Sequence, residues 1–76
     1  MGMAQVRTKE IQIVVNGQVR QVPDGQTLDQ LLVRLEVDRA RVAVELDRSI
    51  IRRQDWGQTP IAPGAILEIV QFVGGG

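Results

Sequence analysis

Ile66-Leu67-Glu68-Ile69-Val70-Gln71-Phe72-Val73-Gly74-Gly75-Gly76 carries the reading of the whole chain. From Ala65 to Val73 the run is nearly continuous in apolar, sheet-prone residues and is broken only by Glu68 and Gln71, as expected of a central strand. Side chains alternate along a strand, so Leu67 and Ile69 share one face, while Ile66, Glu68, Val70 and Phe72 share the other. Three glycines follow. Glycine has no Cβ, so such an arm can thread a narrow cleft and adopt backbone angles closed to other residues. Read as the end of the chain, Gly76 presents a free α-carboxylate on a flexible tail, Gly74 to Gly76, that enters a partner's active site. Fully extended, Val73 to Gly76 reach roughly 13–14 Å. The plainer reading is a loose, small-residue chain end. Ile66, Val70 and Phe72, with Val73 beside the tail, form a candidate partner-docking patch, because exposed apolar patches are often docking sites. The alternative is that a loop or the N-terminus covers them.

Working outward, Pro63-Gly64 marks the turn that precedes this strand. Arg52 to Gly57 reads as a helical turn or irregular loop, with Trp56 closing one end of the core. Arg52 and Arg53, with Arg48 nearby, read as a solvated loop rather than a guide for an acidic partner. Arg41 to Leu46 is a strand with Val42, Val44 and Leu46 on one face, and Ile50-Ile51 is a short further strand after the turn Asp47-Arg48-Ser49. Upstream, Leu28, Leu31, Leu32 and Leu35 fall at i, i+3, i+4 and i+7, one apolar helical stripe. Thr27 and Gln30 have the spacing of a capping box, and Asp29 sits near the positive end of the helix dipole. Ile11 to Val15 alternates as a half-buried strand. Asn16-Gly17 suits a type I′ turn, and Gln18 to Val22, thin in apolar residues, is an edge strand ended by Pro23-Asp24-Gly25.

Composition bounds the chemistry. Seventy-six residues make one small domain, 1–76, with 1–9 a loose lead-in and 74–76 the tail. The chain is 43% hydrophobic, and Trp56 and Phe72 are its only aromatics, so the core is aliphatic. It has no Cys and no His, which removes disulfides, thiol nucleophiles and the commonest general base and metal ligand. No catalytic residue and no metal site are expected; Asp24, Asp29 and Asp55 read as turn, cap and loop residues. Nine basic and nine acidic residues cancel, so no bulk field draws the chain to nucleic acid or membrane. No apolar run reaches the length of a spanning helix, and the expected location is cytoplasmic.

The order strand, strand, helix, strand, short strand, strand has one helix, which can cover only one sheet face. The expected fold is therefore α+β: a mixed sheet of four to five strands with one main helix packed on one face. The last strand, the most apolar, belongs beside the first and parallel to it. This is the β-grasp, or ubiquitin-like, arrangement.

From about Ile11 to Gly76 the chain resembles the thiamine-biosynthesis sulfur carrier (ThiS) family. The resemblance rests on Val15-Asn16-Gly17, Thr27-Leu28 with Leu31-Leu32, Val42-Ala43-Val44-Glu45, Ile50-Ile51 followed by Arg52-Arg53 and Trp56, and Phe72-Val73-Gly74-Gly75-Gly76. The family commonly has Asn at Asp47 and Asp-Gly-Asp at Pro63-Gly64-Ala65; both departures lie in turns. The resemblance implies a carrier, not an enzyme. A partner E1-like adenylating enzyme would use ATP and Mg²⁺ to adenylate the Gly76 carboxylate. A sulfur donor, such as a cysteine desulfurase persulfide, would convert it to a thiocarboxylate, and thiazole synthase would receive the sulfur. This chain itself would bind no cofactor. The alternatives are the small subunit of molybdopterin synthase, whose relatives usually carry prolines shortly before the terminal glycines where Val70 to Val73 has none, and a ubiquitin-like protein modifier.

Overall fold

The computed structural model describes residues 9–72. Residues 1–8 of the 1–9 lead-in, and residues 73–76, lie outside the described residues. The elements are β1 (Glu10–Val15), β2 (Gln18–Pro23), α1 (Leu28–Arg34), a 3₁₀ turn (Arg39–Arg41), β3 (Val42–Leu46), β4 (Ser49–Ile51), a second 3₁₀ turn (Arg53–Gln58) and β5 (Ile66–Gln71). The strands form one sheet in the order β2-β1-β5-β3-β4. β1 and β5 run parallel, and all other neighbours are antiparallel. This is the five-stranded β-grasp, with the last strand in the centre and β2 at an edge.

α1 begins as its capping box dictates. Thr27 Oγ1 accepts from the Gln30 N–H at 3.3 Å, and Gln30 Oε1 accepts from the Thr27 N–H at 2.9 Å. Leu28, Leu31 and Leu32 are fully buried against the sheet, and Leu35 packs at the margin of the core. Burying each leucine stabilises the fold by about 1.5–3 kcal/mol before ordering costs. The helix ends in a Schellman geometry: the Val37 N–H donates to the Leu32 carbonyl and the Glu36 N–H to that of Val33. Glu36 takes φ +61 at the position glycine normally fills, which is why no glycine marks this helix end in the sequence. The third strand starts at Val42, not Arg41, because Asp38 Oδ1 accepts from the Ala40 N–H at 3.0 Å and holds Arg39–Arg41 in a 3₁₀ turn.

The core is aliphatic apart from Trp56, which is 3% exposed and donates its indole N–H to the Ile51 carbonyl at 3.0 Å. Inward residues follow the period-two pattern: Ile11, Ile13 and Val15 on β1, Val42 and Val44 on β3, and Leu67 on β5. Among the described residues no helix is long and apolar enough to cross a membrane.

The β3–β4 turn is strained. Asp47 and Arg48 both adopt left-handed backbone angles, φ +49 and +74. Arginine pays for its Cβ there, whereas glycine does not. Arg48→Gly is expected to raise stability by about 0.5–1 kcal/mol, measured as a higher urea midpoint with unchanged slope. A lower midpoint would show that the Arg48 side chain contributes more than its backbone costs.

Candidate functional site

The site is the strand that leads to the tail, together with what holds it. β5 lies between β1 and β3 and is bonded on both sides. The Val14 N–H donates to the Ala65 carbonyl at 2.9 Å, and the Asn16 N–H to that of Leu67 at 2.9 Å. On the other edge, the Phe72 N–H donates to the Arg41 carbonyl at 2.7 Å, so the strand is still tied to the sheet at the last described residue.

Two turn residues extend this pairing with their side chains. Asn16 ends the parallel pairing of β1 with β5. Its side-chain amide then replaces the next peptide unit: Oδ1 accepts from the Ile69 N–H at 2.7 Å, and Nδ2 donates to the Ile69 carbonyl at 3.2 Å. Across the strand, Asp47 Oδ1 accepts from the Ile66 N–H at 2.9 Å, while the Asp47 N–H donates to the Ile66 carbonyl at 2.8 Å. Both residues read locally as turn formers, because partners 53 and 19 positions away leave no local signal. Asn16→Gly keeps the positive φ of the turn and deletes only the brace. It is expected to cost about 1–2 kcal/mol in chemical denaturation, with faster amide exchange at Ile69. Unchanged stability and exchange would show that the side-chain pairing adds nothing.

Three of the four residues expected to form a docking patch lie among the described residues. Ile66, Val70 and Phe72 are 52%, 59% and 54% exposed on the face opposite α1, while Leu67 and Ile69 turn toward the helix. Val73 and the tail residues Gly74, Gly75 and Gly76 lie outside the described residues. The patch is wider than the sequence suggests. The register places Ile50 of β4 beside Glu45, Val14 of β1 beside Ile66, and Val19 of β2 beside Val14, all on the same face. It also sets Glu45 of β3 directly opposite Glu68 of β5. Like charges facing each other across a ladder repel, and neither belongs to an ion pair among the described residues. The ion pairs there are Arg39–Asp29 and Arg41–Asp38.

Arg53 corrects the solvated-loop expectation. Its guanidinium lies 4.9 Å from the Trp56 ring centroid and donates to the carbonyls of Arg39 and Val42, tying the two 3₁₀ turns together. Arg52 and Arg48 are exposed. Among the described residues, no group of three or more His, Cys, Asp or Glu side chains could hold a metal ion.

Comparison with known proteins extends this geometry. A thiazole synthase of Paramagnetospirillum magneticum is 38% identical over 66 residues, 87% of this chain, although the chain spans about a fifth (20%) of that protein's length. The sulfur carrier protein ThiS of Escherichia coli K12 is 32% identical over 66 residues, covering 87% of this chain and 100% of that protein. The crystal structure of the thiamine biosynthesis protein ThiS from Geobacter metallireducens superposes with a TM-score of 0.74 at 30% identity, covering 87% of this chain and 100% of that one. The profile of the ThiS family matches residues 9–76, which includes the three terminal glycines. The chain belongs to the ThiS family.

Proposed function

We propose that this protein is a sulfur carrier of thiamine biosynthesis and that its working group is the α-carboxylate of Gly76. The observation that carries the reading is the family match running through Gly74, Gly75 and Gly76, beyond a strand braced on both sides. A braced strand delivers the tail from a fixed origin, and the glycines let it enter a narrow cleft.

The chemistry is leaving-group activation. A free carboxylate resists nucleophiles. In the partner adenylating enzyme, a Gly76 carboxylate oxygen attacks the α-phosphorus of ATP, held with Mg²⁺, and pyrophosphate departs. The terminal sulfur of a persulfide on the donor protein then attacks the acyl carbon, and AMP leaves with the oxygen. A second thiol takes the donor's cysteine sulfur as a disulfide and frees the thiocarboxylate. Thiazole synthase receives that sulfur. The chain supplies the acyl group and the docking face, Ile66, Val70, Phe72 and Val73, while the partners supply the catalytic groups. This division suits a sequence with no Cys and no His. A reaction among soluble enzymes suits a cytoplasmic location.

The test is intact mass after incubation with the adenylating enzyme of a thiamine pathway, ATP, Mg²⁺ and a persulfide donor. A gain equal to sulfur replacing oxygen, mapped to Gly76, is expected. An unchanged mass, with a control carrier converted in the same mixture, would overturn the reading.

A further inference from the structure

We propose that the free edge of β2 takes an extended acidic segment of a partner protein as an added strand, with Arg20 and Arg34 meeting its carboxylates. The proposal does not depend on the carrier reading.

β2 ends the sheet beside β1, and no strand among the described residues pairs with its far side. The Gln12 carbonyl and the Val14 and Asn16 N–H groups bond toward β5. Ile11, Ile13 and Val15 therefore bond toward β2, to Val22, Arg20 and Gln18. The alternate residues, Val19 and Gln21, turn both N–H and C=O outward, a template for another strand. Pro23 has no N–H and closes the edge at its end. Arg20 and Val22 lie on the helix side of β2, because their partners Ile13 and Ile11 are buried there. A groove of ≈ 520 Å³ runs beside this edge, lined by Arg20, Gln21, Val22, Arg34, Leu35 and Glu36. Val22 and Leu35 give it an apolar floor, and Arg20, Arg34 and Glu36 an exposed charged rim. Neither arginine belongs to an ion pair among the described residues. The rim thus carries two positive charges against one negative.

Those charges select the occupant. The chain's own lead-in, Met1 to Lys9, has no acidic residue and adds Arg7 and Lys9, so it meets the rim with like charge. A second copy pairing antiparallel with Gln18 to Val22 in full overlap sets Arg20 opposite the same arginine of its partner, which is repulsive. An acidic strand meets neither objection. Its main chain bonds to Val19 and Gln21, and its alternate side chains project over the groove, where carboxylates form charge-assisted hydrogen bonds with Arg20 and Arg34. The groove opens on the helix side, so its occupant leaves Ile66, Val70 and Phe72 uncovered on the opposite face.

The test is an NMR titration of the isotope-labelled full chain with a capped peptide of alternating glutamate and valine, at low and physiological salt. Saturable binding with a Kd of about 100 μM is expected at low salt, with slowed amide exchange at Val19 and Gln21. The double variant R20Q/R34Q should bind about tenfold more weakly with a flatter salt dependence, and E36Q about threefold more tightly. Gln21→Pro removes an outward N–H and should abolish binding; the exchange readout on the unaltered chain tests strand addition even if that variant fails to fold. No saturation by about 1 mM would overturn the proposal. So would a loss under about threefold in R20Q/R34Q, or equal affinity for the same peptide with glutamine in place of glutamate. Shifts confined to Ile50, Val70 and Phe72 would overturn the edge as the site. Slow exchange at Val19 and Gln21 without peptide would overturn the choice of occupant: at every dilution it assigns the edge to the lead-in, and only at high concentration to a second copy. None of these outcomes bears on the mass gain at Gly76, so the two readings stand or fall separately.

Discussion

Deleting Gly75 and Gly76 is expected to reduce thiocarboxylate formation at least 100-fold and to leave the thermal midpoint where it was. The deletion moves the carboxylate about 7 Å back toward the domain, two extended residues at about 3.3–3.6 Å each. Acyl activation depends on the carboxylate lying in line with the α-phosphorus, and misplacement by about 1 Å can already cost around 100-fold. No nearby group can substitute. Gly74 would become the new terminus, and its carboxylate would stop short of the nucleotide. Stability should not change, because the core residues named above all lie between Ile11 and Leu67, and β5 is tied at Phe72. Intact mass gives the first quantity and scanning calorimetry the second. Full conversion of the shortened chain would remove the tail from the mechanism and leave an interaction module whose glycines are incidental.

Leu67→Ala should have the largest effect on the fold. Leu67 is fully buried in the central strand, pairs with Val15 of β1 and Leu46 of β3, and faces α1. Leucine-to-alanine changes at such sites cost about 3–5 kcal/mol, the lost transfer energy plus the cavity left behind. A chain of this length has a total stability of about 4–11 kcal/mol. The substitution therefore removes a large fraction of it and should lower the thermal midpoint by roughly 12–40 °C. Val70→Ala, three residues along the same strand on the open face, should cost under about 1 kcal/mol. Urea denaturation of both variants checks the contrast. Equal losses would mean that the open face is covered and that the two-layer description is wrong.

The local features of the chain were legible because their signals are local. A capping box is a four-residue pattern, and Thr27 and Gln30 make both of its bonds. The leucine stripe of α1 and the alternation in β1, β3 and β5 assigned inward and outward faces correctly, because side-chain direction follows backbone period. Asn16-Gly17 marked its hairpin, and strand alternation alone puts Ile66, Val70 and Phe72 on one face. The helix end at Glu36 and the turn at Asp47-Arg48 were harder. There, residues other than glycine take left-handed angles, so the usual punctuation is missing.

By itself the sequence determined the two-layer α+β class, the aliphatic core and the lack of Cys and His. Those follow from composition and short-range periodicity, whereas the carrier reading came from the resemblance to the ThiS family. Tertiary structure alone decided how β5 is held and what its open face presents. The Asn16 and Asp47 braces span 53 and 19 residues, and the facing of Glu45 and Glu68 depends on the register between β3 and β5. Register comes from packing the whole core at once. A shift of one residue would turn Leu67 outward and Glu68 inward, and the energy that forbids it is shared among the buried residues of β1, α1, β3 and β5.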